Sequence, residues 1–590
     1  MSARSVYLRV NQQVLRTGNR WKEIVFHGYF LFMFILAFHF FKERLYADSS
    51  YYIFNTIDSG FFVTPHQRIV LAFSEIVPLL FFYAGASLKT ILVAWSLGHV
   101  LFYYAVFLVA FYKFKNEAGA LAVILLNVIG QTWLYFSPML EICYGAALLV
   151  LFKILLDENI LTRLRWCWLI LLEIFVLTSH PENFVIFFFV LGYDILKNGF
   201  RKSPHLALFL IFVATIVFKT QTFSEYEGGK IHFMTDTHQN HLYENLFRKE
   251  YLSGLWKLFS GHYPDLMLLF LVTLIALIAQ KKMLRPLFLF GTITGLLILV
   301  NVTNFARDYS RYNESLYYPL VAITGIAFTF EVYQSAKLTW KIYLLSGCMV
   351  IAIGRISGIN TNGDYLSCRT IQLEALIRKA HELDKGKCIV NMGNAEPERW
   401  NLNWSYPIES ILLSSLAAPD STVSLVPDED YTYRDTSVQL TAGKTIIRRW
   451  EIRDNQAVLP FFKFRKEDYF AMNTLDTVTP ADFFPGKFKL VINEQAPGYY
   501  YDRLFFSVTI ANISGKTLSS LPAENCFLKI RCEQNGKITE SQIPLDIDLY
   551  NEYIQTLSCP LEKNSGETGV TTKLFRNGVE LVSAYHRFNL

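Results

Sequence analysis

The chain has 590 residues, of which 52% are hydrophobic and only 18% charged, with a mean hydropathy of +0.27. That is too apolar for one soluble globule, and 50 Phe with 33 Tyr fit the aromatic interfaces of a membrane protein. The net charge of +5 is small for this length, and the basic residues form no patch interleaved with aromatics, which argues against nucleic acid as a partner.

In chain order, Arg4, Arg9, Arg16, Arg20 and Lys22 precede a first apolar run, 24–41. The basic start resembles the end of a signal peptide, but the run is long for one and no small-residue cleavage site follows. It reads as a retained first span with a cytoplasmic N-terminus. Further runs fall at 90–112, 118–136, 141–156, 166–179, 184–197, 204–219, 264–280, 285–302, 316–334 and 341–357. The run 69–88 is interrupted by Glu75 and Pro78. If it does not cross, the short loops with Lys113/Lys115, Arg163/Arg165, Lys197/Arg201/Lys202, Lys281/Lys282/Arg285 and Lys337/Lys341 all share the side of the basic N-terminus, as the positive-inside rule requires. The expectation is therefore a polytopic α-helical domain, 1–358, of about 11 transmembrane helices, with 69–88 lying on the outer surface. Its outer loops are 42–89 and 220–263.

The tail carries few apolar runs and is expected on the periplasmic or extracellular side. Ser367–Leu383 has helical spacing, and Lys387–Met392 is strand-like, which predicts a small α/β region over 359–455. Alternating segments at 488–493, 504–511, 526–532 and 579–584, with Asn535-Gly536 and Asn577-Gly578 as hairpin turns, predict a β-sandwich over 456–590. Of eight cysteines, Cys143, Cys167 and Cys348 lie in apolar runs as packing residues. Cys368, Cys388, Cys526, Cys532 and Cys559 lie in the tail, without a CxxC pair, and their odd number leaves at least one thiol unpaired.

No Walker loop, GxGxxG after a strand, GxSxG or HExxH is present, which disfavours ATP-driven and soluble hydrolytic chemistry. What stands out instead is polar and one-sided. Asp48 lies in Arg44-Leu-Tyr-Ala-Asp48-Ser-Ser-Tyr-Tyr52, just after the first span. On the same side the topology places Asp58, His66, Arg68, Glu141 after Ser137-Pro138, His180-Pro181-Glu182-Asn183, and Arg307, Arg311 and Tyr312. Each has a plainer reading: Glu141 as an acid complementing a helix dipole, His180-Pro181 as helix punctuation, Arg311 as a partner of Asp308 or Glu314. Lys153 and Glu173 fall inside predicted spans, where ionisable groups are costly.

The layout resembles the GT-C superfamily of integral membrane glycosyltransferases, which use polyprenyl-phosphate-linked sugars. The resemblance rests on Tyr46-Ala-Asp48, on Ser137-Pro138 with Glu141, and on Arg311-Tyr312 with Pro319, and covers roughly residues 20–340. It implies transfer of a sugar from a polyprenyl-phosphate donor to a glycan, lipid or protein acceptor at the extracytoplasmic face of the plasma membrane. It further implies Asp48 as catalytic base, and Arg307 and Arg311 as holders of the departing phosphate. Arg68, His180, Glu141 and Tyr312 would bind substrate. The resemblance requires no particular cofactor: Glu141 would either orient an acceptor or share a divalent metal, Mg or Mn, with Asp48. The family's frequent pair of adjacent acids in the first loop is broken here by Ser49, which counts against a metal-dependent mechanism. A transporter or flippase of a lipid-linked intermediate, or a non-catalytic membrane scaffold, are the alternatives.

Overall fold

The structure is a computed structural model. It describes the whole chain except residues 1–2, 159–161, 223, 282, 304–310, 391–402, 428–429, 432–436, 456–460, 473–487, 501–502, 513–525, 535–536, 545–551, 561–566, 577–578 and 590. The chain divides into two compact units, Met1–Gly363 and Asp364–Leu590.

The first unit is helical. It begins with α1 (Ala3–His39), α2 (Asp48–Ser59), α3 (Ala72–Tyr83), α4 (Leu88–Leu108), α5 (Glu117–Ile129), α6 (Glu141–Leu156) and α7 (Arg163–Ser179). It continues with α8 (Glu182–Asn198), α9 (Lys202–Gln221), α10 (Glu225–Leu246), α11 (Lys249–His262), α12 (Pro264–Ala279), α13 (Leu284–Thr303), α14 (Arg311–Ala327) and α15 (Leu338–Glu382). The division between the two units falls inside α15. Helix α6 is the centre: every one of its residues is buried, as expected of a helix apolar on all sides. By contrast α9, α12 and α13 leave Phe209, Leu210, Leu271, Ile275, Leu287 and Phe290 exposed, a surface suited to lipid.

Six helices among the described residues are long and apolar enough to cross a membrane: Trp21–His39, Leu88–Lys113, Pro204–Gln221, Leu284–Thr303, Glu314–Tyr333 and Leu338–Glu382. A seventh is reached if α11 and α12, bent by 94° at Tyr263, count as one broken span. The expected count of about 11 is higher because it included shorter runs. Helices α5 to α8 and α12 have 13 to 17 residues, which is about 20–26 Å against a hydrocarbon core of about 30 Å.

Helix α3 has 12 residues, about 18 Å, and is likewise too short to cross alone. The expected span 118–136 stops at Ile129 and ends in a 3-10 turn at Leu134–Phe136. The stretch 220–263, expected as a loop, is built from α10 and α11. Of the apolar-run cysteines, Cys143 and Cys348 are buried but Cys167 is exposed, on the same face of α7 as Leu164, Trp168 and Leu171.

The second unit starts with a parallel three-stranded sheet, order β2-β1-β5, of β1 (Lys387–Val390), β2 (Ser424–Pro427) and β5 (Phe470–Met472). Parallel strands need a crossover, and α16 (Tyr406–Ser414) packs on β2. A hairpin of β3 (Lys444–Arg448) and β4 (Glu451–Asp454) follows. Then come two antiparallel sheets. One is ordered β10-β7-β6, from β6 (Phe488–Tyr500), β7 (Arg503–Asn512) and β10 (Glu552–Pro560). The other is ordered β12-β11-β8-β9, from β8 (Cys526–Gln534), β9 (Lys537–Pro544), β11 (Glu567–Arg576) and β12 (Val579–Asn589). In the second, Leu528, Ile530 and Cys532 face Leu574, Thr572 and Val570 across the ladder and all are buried, the period-two alternation of a strand with one covered face. The Asn-Gly pairs lie outside the described residues. Cys388 is a buried free thiol, and Cys532 is buried.

Candidate functional site

The site is assembled at the end of α6 that carries Glu141. Arg44, in the turn after α1, is buried and donates from Nη1 to the Tyr135 carbonyl (2.7 Å) and from Nη2 to the Ser96 carbonyl (3.3 Å). Its guanidinium also lies 4.0 Å over the Tyr135 ring. These contacts tie the start of the first loop to α4 and to the segment leading into Glu141. Ala47 then takes φ +53°, ψ −119°, a conformation easy only for glycine, held here in a fully buried residue. It turns the chain so that Asp48 is the first residue of α2.

Four residues on, Tyr52 donates its hydroxyl to Glu141 Oε1 at 3.4 Å. Burial raises the Tyr52 phenol well above its ordinary range, and the charges of Glu141 and then Asp48 raise it further. Both carboxylates are therefore within electrostatic reach of one hydroxyl.

Arg68 follows a second left-handed stretch, His66 and Gln67 at φ +54° and +58°. Its guanidinium bridges Glu141 Oε1 (3.0 Å) and Glu227 Oε1 (3.0 Å), and all three side chains are nearly buried. Burial is the largest single influence and works against the Arg68 charge, but Glu141, Tyr52 and Glu227 together outweigh it, so the net shift is upward. The pairing is charge-assisted on both sides.

Glu227 belongs to the first turn of α10, where Ser224 is the N-cap and accepts from the Glu227 amide at 3.3 Å. Ser224 Oγ also meets His66 Nδ1 at 2.8 Å, and Lys219 Nζ donates to the His66 carbonyl at 2.8 Å. The start of α10 thus closes over the first loop.

The corner between α7 and α8 supplies His180 and Glu182. It is held to α6 by Asn183, whose Nδ2 donates to the Ile142 carbonyl (3.3 Å) and to Ser179 Oγ (2.6 Å). Gly145 makes this approach possible: a Cβ there would collide with Ser179 Oγ and Asn183 Nδ2. Burial lowers His180 well below the usual imidazole range, with Arg68, Lys230 and Lys219 pushing the same way, so it is neutral at pH 7. Burial pushes Glu182 up to about 8 against the opposing pull of Lys230 and Arg68. Among the described residues, Arg68 Nε and Glu182 Oε2 are buried without a hydrogen-bond partner. Buried polar groups are almost always bonded, so these two atoms are open to a further polar partner, as are Arg44 Nε, Arg201 Nε and Arg285 Nε elsewhere in the unit.

Arg68 and Glu141 are therefore in contact, while Asp48 acts electrostatically on Tyr52 and Arg68 on His180. Arg307 lies outside the described residues, as do the side chains of Arg311 and Tyr312, which open α14. One turn later Glu314 is buried and accepts from the amides of Trp133 (2.8 Å) and Leu134 (2.7 Å) and from the Thr132 hydroxyl. The start of α14 is thereby fixed to the segment just before Glu141. Glu227, Lys219 and Lys230 were not in the expected set. A signal was present for the first: Ser224-Glu-Tyr-Glu227 is a capping-box pattern marking a helix start inside the supposed loop.

A divalent metal on Asp48 and Glu141 does not fit. Glu141 is engaged by Arg68 and Tyr52, and among the described residues no group of three His, Cys, Asp or Glu could hold a metal ion. The chain matches no protein-family model, no curated protein and no solved structure.

Proposed function

We propose that the protein is a GT-C-like integral membrane glycosyltransferase, its site at the extracytoplasmic end of α6, moving a sugar from a polyprenyl-phosphate donor to a glycan, lipid or protein acceptor. The single observation that carries this reading is the buried chain Glu141–Arg68–Glu227 with an unpartnered Arg68 Nε–H; Asp48 is electrostatically coupled to it through Tyr52, and His180 through Arg68.

In this reading the acceptor O–H or N–H gives its proton to the Asp48 carboxylate as the acceptor atom attacks the anomeric carbon. The bond from that carbon to the phosphate oxygen breaks, and the electron pair leaves with the polyprenyl phosphate. Arg68 offers its Nε–H to the growing negative charge, with Arg307 and Arg311 as further holders of the phosphate. Tyr52 and Glu141 orient Arg68 and the acceptor. Neutral His180 accepts or donates a hydrogen bond to the sugar without adding charge.

The test is release of polyprenyl phosphate from a synthetic polyprenyl-phosphate hexose or pentose by the purified protein in detergent. Wild type is expected to release it, and Asp48→Asn, inserted and stable, is not. Full activity of Asp48→Asn would remove the base assignment, and inactivity of wild type towards both donors would remove the reading. A transporter of a lipid-linked intermediate is the second reading. It is favoured by Glu173, buried within α7 with both carboxylate oxygens unpartnered. It predicts flipping of the lipid across vesicles with no bond broken.

A further inference from the structure

The tip of the β3–β4 hairpin carries a second polar and aromatic cluster, within the unit Asp364–Leu590. Arg448 pairs with Glu451 in the ladder, so the turn is made by Arg449 and Trp450 alone. Two-residue hairpin turns favour Gly, Asn and Asp. Here an indole occupies the turn and is 54% exposed. Trp404, in the short turn Asn403–Ser405 before α16, lies beside it, with ring centroids 5.6 Å apart and planes 32° from parallel.

Around this pair the charged groups hold one another. Arg448 Nε donates to Glu451 Oε2 at 2.8 Å, and its guanidinium sits 5.2 Å from the Trp450 ring centre. Arg453 reaches Glu451 Oε1 at 2.7 Å, and Arg449 pairs with the buried Asp430 at 2.5 Å. The result is two large apolar faces flanked by guanidinium and carboxylate planes already fixed in position.

We infer that Trp404 and Trp450 form a glycan-binding platform. A pyranose ring has an apolar face of C–H groups and a rim of hydroxyls that both donate and accept. The indoles offer faces for the first, and the paired Arg448 and Glu451 offer acceptors and donors for the second. A purely apolar partner would desolvate three arginines and the Glu451 carboxylate for no return. A simple anion would meet the Glu451 carboxylate. This inference deepens the glycosyltransferase reading, on which it rests, by giving the tail the acceptor glycan as its ligand.

The experiment passes full-length protein in detergent over immobilised maltohexaose, cellohexaose and chitohexaose. Wild type is expected to be retained on at least one. Trp450→Ala and Trp404→Ala should each weaken retention about tenfold or more, while Trp450→Tyr keeps most of it and shows that the tip still folds. Asp48→Asn should bind as wild type, because binding needs no transfer. Passage of wild type through all three columns, or unchanged retention of the Ala variants, overturns the inference. Loss of binding to phosphatidylglycerol vesicles in the Ala variants, without any saccharide retention in wild type, would make the pair a membrane anchor and also overturn it. Tryptophan-dependent retention by a protein that transfers no sugar would count against the glycosyltransferase reading and leave the platform standing.

Discussion

The two ends of α6 are built on opposite economies of charge. Twelve residues after Glu141, about 18 Å along the helix, Lys153 meets Asp157 and lies 3.8 Å from Asp194. Asp194 also receives Arg201 (2.6 Å) and His205 (2.9 Å), and nearby Glu331 receives Lys197 (2.6 Å) and Arg285 (3.4 Å). There, Asp194 and Glu331 are each served by more than one cation, and the network ties α6, α8, α9, α13 and the end of the α14 segment together. At the Glu141 end one guanidinium serves two carboxylates, and Glu182 has no hydrogen bond at Oε2. The first pattern suits a clamp. Both ends keep buried atoms without a hydrogen-bond partner, Arg68 Nε and Glu182 Oε2 at one and Arg201 Nε, Arg285 Nε and Tyr193 OH at the other. What separates them is the ratio of cations to carboxylates, which is short of cations at the Glu141 end.

The sharpest way to break this contrast is Asp48→Asn. Loss of a general base is expected to lower the transfer rate about 10²–10⁴-fold while the thermal melt in detergent stays put. An equal loss of rate from Asp194→Asn would erase the distinction between the ends. Next in size is Arg68→Ala, which strips the shared cation from Glu141 and Glu227 and should cost about 3–5 kcal/mol by denaturant titration.

Asp194→Asn should cost less, about 1–3 kcal/mol, because Lys153 keeps Asp157, and should leave transfer within a few-fold of wild type. Gly145→Ala pushes a methyl into Ser179 and Asn183 and should cost about 1–3 kcal/mol in the same titration, with a rise in KM as the His180 corner shifts.

The last effect is in pH. Glu182 holds its proton in the fold up to about 8, whereas the ordinary value is 4.5. Its contribution to stability is therefore complete below about 4.5 and is lost as the pH rises to about 8. Glu182→Gln should flatten that part of the stability profile, read as melting temperature across the window.

Much of this end of the molecule was legible before folding. Asp48 after a span, Glu141 after Ser137-Pro138, and His180-Pro181 between two apolar runs can each be assigned to one side by counting Lys and Arg in short loops. Arg68 was legible as a charge but not as the hub, because its partners come from α6 and α10, 73 and 159 residues away. Glu227 was hidden because 220–263 reads as polar and so as loop; the Ser224 cap and the burial of Tyr251 and Leu258 are what a helical reading would have needed. Six or seven of the expected spans among the described residues have the length to cross by themselves, and for the shorter ones a run of apolar residues reports burial equally well in lipid or in protein. Helix α6, buried on all sides by protein, is the plainest case.

The sequence by itself determined the class of molecule, a helical unit with apolar helices of membrane-spanning length followed by a strand-rich tail, because hydropathy and periodicity are local properties. It also determined which polar residues sit at helix ends. Only the tertiary structure decided which of them meet. Arg68 reaches Glu141 through two left-handed residues and a helix packed one glycine deep against the next corner, and Trp404 reaches Trp450 across a turn. Such meetings depend on backbone direction and close packing between distant segments, and neither leaves a period in the sequence.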